Sequence, residues 1–473
     1  MSILNGTGTG YFHTERVDGV DWLVDPRGNR FLSFGVNHIT WNGDPSPALG
    51  YAPYHRHVTA KYGTREEWMD AALGRVAAWG FNTIGTWSDP ELHACGMPYV
   101  RILNIGVASG GEWRKGIFPD VFSDRFRAAT LNAAEEQCAQ LRDDPHLLGY
   151  FTDNELRWGP DIRTSRTLLA DYWRLDAEAS GKRDLIRFLQ ERYESIERFN
   201  QMWETQFPGF DALRYTTDIE SVGEPMRAVR WESLMHTLLE CCLPARIITY
   251  LRAWHDSVDS LNAYWGTAFD SFEAAVEAPP RTERGRERSK LESGFLRRVA
   301  ERYFTGCREA IRSHDPNHMI LGCRFAGSAF PEVVQSMGPH VDLVSYNNYS
   351  FEAPVERLHT LHEWTGKPIM LTEFSFKAMD SGLPNTHGAG VPVQTQQERA
   401  DRYAKYTTAL MKLPFAVGFH WFQYTDQPAE GRHDGENSNY GLVTIEDEPW
   451  ETLTTRMQTI NRELFRIHLD ASL

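Results

Sequence analysis

The stretch Leu147-Leu148-Gly149-Tyr150-Phe151-Thr152-Asp153, running into Asn154-Glu155, decides how the chain is read. Its apolar part is too short for a helix and nearly continuous, which suits a strand buried on both faces. An amphipathic run over 122–142 precedes it, and a polar cluster ends it. The same unit recurs in both directions along the chain. Strands are expected at 31–39, 81–87, 100–105, 147–153, 319–325, 341–346, 368–374 and 416–421, with helical periodicity between them, as over 65–79, 294–314 and 395–412. Such alternation predicts a parallel sheet covered by helices, and eight units is the count of a (β/α)8 TIM barrel. A doubly wound sheet is the competing architecture. It is normally announced by a glycine-rich phosphate turn, and the one candidate, Gly6-x-Gly8-x-Gly10, precedes any strand–helix pair.

A barrel needs about 250 residues, and the chain has 473. One catalytic barrel domain over 1–473 is therefore expected to carry a hairpin over 20–34, turning at Asp25-Pro26-Arg27-Gly28-Asn29, and a large insertion over 156–291. Apolar residues recur at helical spacing over 183–205 and 233–254, so the insertion reads as helical; a charged linker is expected over 279–290. The insertion is also the expected place for contact in a homo-oligomer.

Lys and Arg number 49 against 64 Asp and Glu, a formal charge of −15. That balance gives no electrostatic support to a nucleic-acid partner or an anionic membrane surface. No run approaches the ~18 apolar residues of a membrane span. The first ten residues lack a basic region and an apolar run, so a cytoplasmic protein is expected. The cysteines, Cys95, Cys138, Cys241, Cys242, Cys307 and Cys323, form no metal-clip spacing and read as buried thiols. His359 and His362 lie three apart without carboxylate partners and read as surface, so neither a metal nor another cofactor is expected.

In a barrel the chemistry sits at the C-terminal ends of the strands. The fourth expected strand ends at Glu155 and the seventh, Pro368-Ile369-Met370-Leu371-Thr372-Glu373, at Glu373. One such Glu is as readily structural, paired with an arginine. Two, on opposite sides of a barrel mouth, fit glycoside hydrolysis, in which one carboxyl protonates the departing oxygen and the other attacks or activates water. A non-catalytic sugar-binding barrel is the alternative of another class, although binding alone does not call for two opposed carboxylates.

An Asn-Glu ending the fourth strand and a Glu ending the seventh resemble clan GH-A, retaining glycoside hydrolases on (β/α)8 barrels. More narrowly, GYFTDNELRWG (149–159), DPNHMILGCRFAG (315–327), GFHWFQYTDQP (418–428) and Gly35-Val36-Asn37-His38 resemble the β-agarase family, glycoside hydrolase family 50. The resemblance implies Glu155 as acid/base and Glu373 as nucleophile, with carboxyl oxygens about 5–5.5 Å apart. It implies that Asn154 binds the sugar 2-hydroxyl, that Tyr346 donates to Glu373 and keeps it ionised, and that Trp421 floors the subsite of the cleaved sugar. A cis peptide is implied at Trp421–Phe422. Asn37, His38, Trp87, Arg324 and Asn347, at strand ends, are expected around the mouth. Glu436, in the Asp/Glu/Asn/His-rich loop 426–441, is expected to touch substrate.

Agarase-family members often carry a β-sandwich sugar-binding domain ahead of the barrel, and only about 30 residues precede the first expected strand here. The expected activity is exo-hydrolysis of β-galactoside or agar-type oligosaccharides in a pocket walled by the insertion. A β-galactosidase or another β-glycosidase is the alternative substrate class.

Overall fold

The computed structural model describes residues 6–217, 248, 257–265, 268–277, 283–327 and 330–472. Its centre is one sheet of nine parallel strands: β1 (Ser33–Val36), β2 (Thr83–Ile84), β3 (Tyr99–Ile102), β4 (Leu147–Phe151), β5 (Met319–Ile320), β6 (Phe325–Ala326), β7 (Val344–Asn347), β8 (Ile369–Glu373) and β9 (Ala416–Trp421). The order is β5-β4-β3-β2-β1-β9-β8-β7-β6.

This sheet corrects the expectation of a simple (β/α)8 barrel. Where one regular fifth strand was expected, the chain makes two strands of two residues each, at opposite edges of a nine-stranded sheet. The cause is local. Gly322 (φ +81°) and Arg324 (φ +42°) take left-handed backbone that an extended ladder does not accommodate. The segment between the edges bonds to both sides instead: Leu321 N–H to the Tyr150 carbonyl (2.8 Å), and Arg324 N–H to Ser345 Oγ (2.9 Å). The interruption therefore lies at the same end of the sheet as Glu155, whose N–H donates to the Arg324 carbonyl (3.1 Å).

Two apolar layers hold the sheet. Leu148, Phe151, Val100, Leu321, Leu343, Met370 and Val417 form the inner one, with Phe12 and Leu23 of the N-terminal segment packed into it. Burial of a whole leucine- or phenylalanine-sized side chain contributes roughly 1.5–3 kcal/mol, so even this small layer contributes to holding the sheet together. The outer layer receives the helices. Arg65–Ala78 buries Trp68, Ala72 and Val76, four residues apart, and starts on Thr64, whose side chain accepts from Glu67 N–H. Gln396–Met411 starts the same way on Thr395. The expected helix over 122–142 is broken by a π-helical turn at Ala134–Cys138.

The hairpin turns as expected, Asp25 Oδ1 accepting from Arg27 N–H (2.9 Å) and Asn29 N–H (2.8 Å), and gains a third strand, His13–Val17. In the insertion, Ser180–Tyr193 and Ile196–Trp203 are helices; the segments 233–247 and 249–254 lie outside the described residues. The expected linker is helical from Glu283, which opens a 32-residue helix to His314; 279–282 lie outside the described residues. Cys138, Cys307 and Cys323 are buried and free, but Cys95 is exposed, and Cys241 and Cys242 lie outside the described residues. His359 and His362 pack on Phe415, the latter stacked at 4.4 Å. No helix among the described residues is long and apolar enough to cross a membrane.

Candidate active site

Backbone strain marks the mouth of the sheet before any side chain is considered. His38, Trp87, Asn104 and Glu155 follow β1, β2, β3 and β4 within two to four residues, and Arg324 follows β5; all five have positive φ without being glycine. Such residues persist only where their surroundings enforce them, and they concentrate at functional sites.

Glu373 reaches the mouth through a register slip. Tyr346 pairs with Leu371 but Asn347 with Glu373, so Thr372 is an extra residue in β8. One extra residue reverses the side-chain alternation beyond it and turns Glu373 from the helix-facing side to the interior. The freed Thr372 carbonyl accepts from Asn37 Nδ2 (3.0 Å) and Arg324 Nη2 (2.8 Å), and Thr372 Oγ1 donates to Asn347 Oδ1 (2.7 Å).

Glu373 is 5% exposed. Tyr349 Oη donates to its Oε2 (2.6 Å), and Arg324 Nη2 lies 2.9 Å from its Oε1. Oε1 nevertheless has no aligned hydrogen bond among the described residues. The donor is thus Tyr349, not Tyr346. Tyr346 alternates to the helix-facing side of β7, where its hydroxyl lies 3.4 Å from the Gly327 carbonyl. Nor do these neighbours keep the carboxyl in its ordinary range. Burial pushes it up to about 7 against the pull of Arg324 and Tyr349, and the Glu155 charge adds to the rise.

Glu155 is half-buried and accepts from Asn347 Nδ2 at Oε1 (3.0 Å). The two carboxylates are joined through one polar chain. Asn347 Nδ2 also reaches Asn154 Oδ1 (3.2 Å), which accepts from Arg324 Nη1 (2.8 Å), and Arg324 pairs with Glu373. With its oxygen so used, Asn154 makes no hydrogen bond through Nδ2 among the described residues and can donate it. Arg324 is fully buried, with its guanidinium 4.5 Å from the Trp87 ring centroid. This packing fixes the fork.

The remaining expected residues divide. Asn37 is fully buried and its amide is consumed, Oδ1 accepting from Thr86 N–H (2.9 Å) and Oγ1 (3.0 Å); it ties three strands together and offers nothing to a sugar. Trp421 is likewise core. It is fully buried, packs on Phe374 and Tyr403, and donates its indole N–H to the Tyr440 carbonyl (2.9 Å). The aromatics nearer the mouth are Trp87 and Phe422, edge-to-face at 6.2 Å. The cis peptide is one residue beyond the expected position, at Phe422–Gln423. His38 faces Asp44 (Nε2 to Oδ1 3.8 Å), and burial holds its imidazole below its ordinary range. Glu436 is gripped by Arg432 (2.7 Å) and Gln427 (2.7 Å), and its charge is felt at Glu373.

Two groups escaped the sequence reading. Tyr349 lies in the loop beyond β7, where no alternation applies. Asp153 accepts from Gly106 N–H at both oxygens (2.8 Å each), and burial raises its carboxyl to about 7; it anchors the segment after β3 beside Glu155. A cavity of about 500 Å³ opens beside Glu155, between Trp113, the segment 155–163, Gly327 and Asp434. Among the described residues no group of three or more His, Cys, Asp or Glu is placed to hold a metal ion.

No protein-family model matches the chain. It is 25% identical to β-agarase B of Vibrio sp. (strain JT0107), over 97% of this chain and 49% of that protein. It is 28% identical to β-agarase A of the same organism, over 94% and 44%. The chain thus spans about half the length of the curated relatives it matches. Among solved structures, an agarase superposes with a TM-score of 0.74 at 24% identity, over 99% of this chain and 66% of that one. An exo-β-agarase superposes at 0.76 and 21%, over 98% and 66%. The fold is that of these agarases. The likeness is to agarases and lends no support to the wider clan placement.

Proposed function

We propose that the chain is a glycoside hydrolase that releases short units from the end of agar-type β-galactoside chains. The observation that carries the reading is the polar chain from Glu155 through Asn347, Asn154 and Arg324 to Glu373, on a fold shared with agarases. In this reading Glu373 Oε1, near Arg324 but without an aligned donor, attacks the anomeric carbon, and the Tyr349 hydroxyl holds the other oxygen. Glu155, at the open edge, protonates the departing oxygen and then activates water. Asn154 Nδ2 donates to the 2-hydroxyl.

Chain-end action is supported by the exo-β-agarase among the similar structures. The buried Glu373 works only when ionised, so the proximity of Arg324 and the Tyr349 hydrogen bond carry its charge.

Product analysis over time on agar-derived oligosaccharides, beside nitrophenyl β-galactoside, tests the reading. One mono- or disaccharide accumulating from the start is expected. Mixed intermediate lengths at early times mean internal cleavage, and turnover of the nitrophenyl galactoside alone means a β-galactosidase of another glycan.

A further inference from the structure

Trp113 is 45% exposed, on the wall of the cavity that Glu155 lines. An exposed indole is ordinary on a loose loop; this one is held rigidly. Glu112 and Ile117 exchange two main-chain hydrogen bonds (3.0 Å each), and Gly116 N–H closes the turn onto the Trp113 carbonyl (3.1 Å). Gly116 has φ +61°, which strains any side chain, and a Cβ there would sit tightly against Arg157 Cδ (3.0 Å) and Arg163 Cβ (3.1 Å).

Two arginines from the segment after the acid brace this turn. Buried Arg157 donates Nε to the Gly116 carbonyl (2.6 Å). Arg163 donates Nη1 to the Trp113 carbonyl (3.0 Å) and Nη2 to the Glu155 carbonyl (3.2 Å), while its guanidinium lies 5.3 Å from the Trp113 ring centroid. Asp161 holds Arg163 in place through both its main-chain N–H (2.8 Å) and its Nε (2.8 Å). One side chain thus ties the indole to the backbone of a residue in left-handed conformation, Glu155. Arg114 fixes the far end of the turn, donating to the His433 carbonyl (2.6 Å).

An aromatic face held on the wall of a largely apolar cavity, with a few polar groups converging on it, fits a ligand surface. The ligand follows from which carboxylate the cavity touches. It is lined by Glu155 and not by Glu373, and the acid faces the departing group, whereas the nucleophile lies under the sugar being cleaved.

We propose that Trp113 is the platform for the first sugar of the leaving group, stacking on its apolar C–H face, with Arg163 as the positioning residue that sets the indole and Glu155 together. The assignment rests on the function proposed above and deepens it. The cavity belongs to the oligosaccharide that departs, so affinity for longer chains is built on the acid's side of the site.

The test compares two substrates in the same variants. One is an agar-derived oligosaccharide; the other is the β-fluoride of the unit that the wild type releases from it, whose leaving group is a single atom. Trp113→Ala is expected to raise KM for the oligosaccharide at least tenfold, and to lower its kcat/KM at least ten times more than that of the fluoride. Trp113→Phe, which keeps an aromatic face, is expected to restore the oligosaccharide to within about threefold. Equal losses on both substrates, or no loss on either, overturn the platform. A wild type that releases nothing from the oligosaccharide defeats the parent reading instead, a separate result.

Discussion

Glu155 and Glu373 are built into the same mouth by opposite means. Glu373 is aimed by a register slip within a strand, buried, and held by Tyr349 and Arg324. Glu155 is aimed by a left-handed residue beyond a strand, stays half-buried, takes one amide hydrogen bond, and opens on a cavity. The contrast teaches how one scaffold separates two identical side chains. The fixed carboxyl suits attack at a defined point, and the one at the cavity edge suits exchange of protons with a group that leaves and a water that enters. Electrostatics alone argues the reverse, since the raised carboxyl is Glu373. Experiments that strain the contrast therefore carry the most information.

The largest effect is expected from removing either carboxyl. Glu373→Ala should lower kcat by at least about 10⁴-fold on every substrate, because in the proposed mechanism no other group forms the intermediate. Glu155→Ala should cost roughly 10²–10⁴-fold on sugar leaving groups and far less on dinitrophenyl ones, which depart without a proton. Steady-state kinetics against leaving-group pKa separates these; the opposite pattern exchanges the roles.

Next in size is the arginine joining the two regions. Arg324→Met removes the cation that opposes the effect of burial on Glu373, so the acidic limb of kcat/KM should move up by at least about one pH unit. A limb left near pH 7 would show that the guanidinium does not hold the carboxylate.

The raised Glu373 carboxyl gives a third test. Its folded pKa lies above the unfolded one, so the fold is penalised as pH climbs from the ordinary carboxylate range through about 7. Glu373→Gln, always neutral, should therefore be more stable than wild type by up to about 3 kcal/mol above pH 8, and the gain should vanish near pH 4. Thermal unfolding across that range checks it. The smallest effect is expected from Tyr349→Phe. The nucleophile must be ionised, so wild-type kcat/KM should fall about tenfold per unit below pH 7. Loss of a hydrogen bond that favours the charged form moves that limb to higher pH.

The contrast also shows what was legible. Helices and most strands follow from periodicity, and β9 lies where its apolar run puts it. Glu155 and Glu373 were visible as carboxylates closing apolar runs. Alternation, followed further, would have placed Trp421 with Phe419 on the helix-facing side and Tyr346 opposite Asn347, so those two misassignments had a signal. The slip at Thr372 had none, because an extra residue in a ladder is decided by partners distant in sequence. The split of the fifth strand was half-visible. Gly322 permits left-handed backbone, but nothing in the sequence signals it at Arg324, whose guanidinium is held by Asn154, Thr372 and Glu373. Tyr349 lies in a loop, where pattern says nothing about aim.

In the proposed mechanism Glu373 forms the covalent bond and Glu155 moves the proton. A 2-deoxy-2-fluoro β-glycosyl donor of the released unit, with an activated leaving group, slows breakdown of the intermediate enough to trap it. Peptide mass spectrometry of the inactivated protein should place a single glycosyl group on Glu373. A label on Glu155, or turnover without label and with inverted anomeric configuration in the product, would contradict the account.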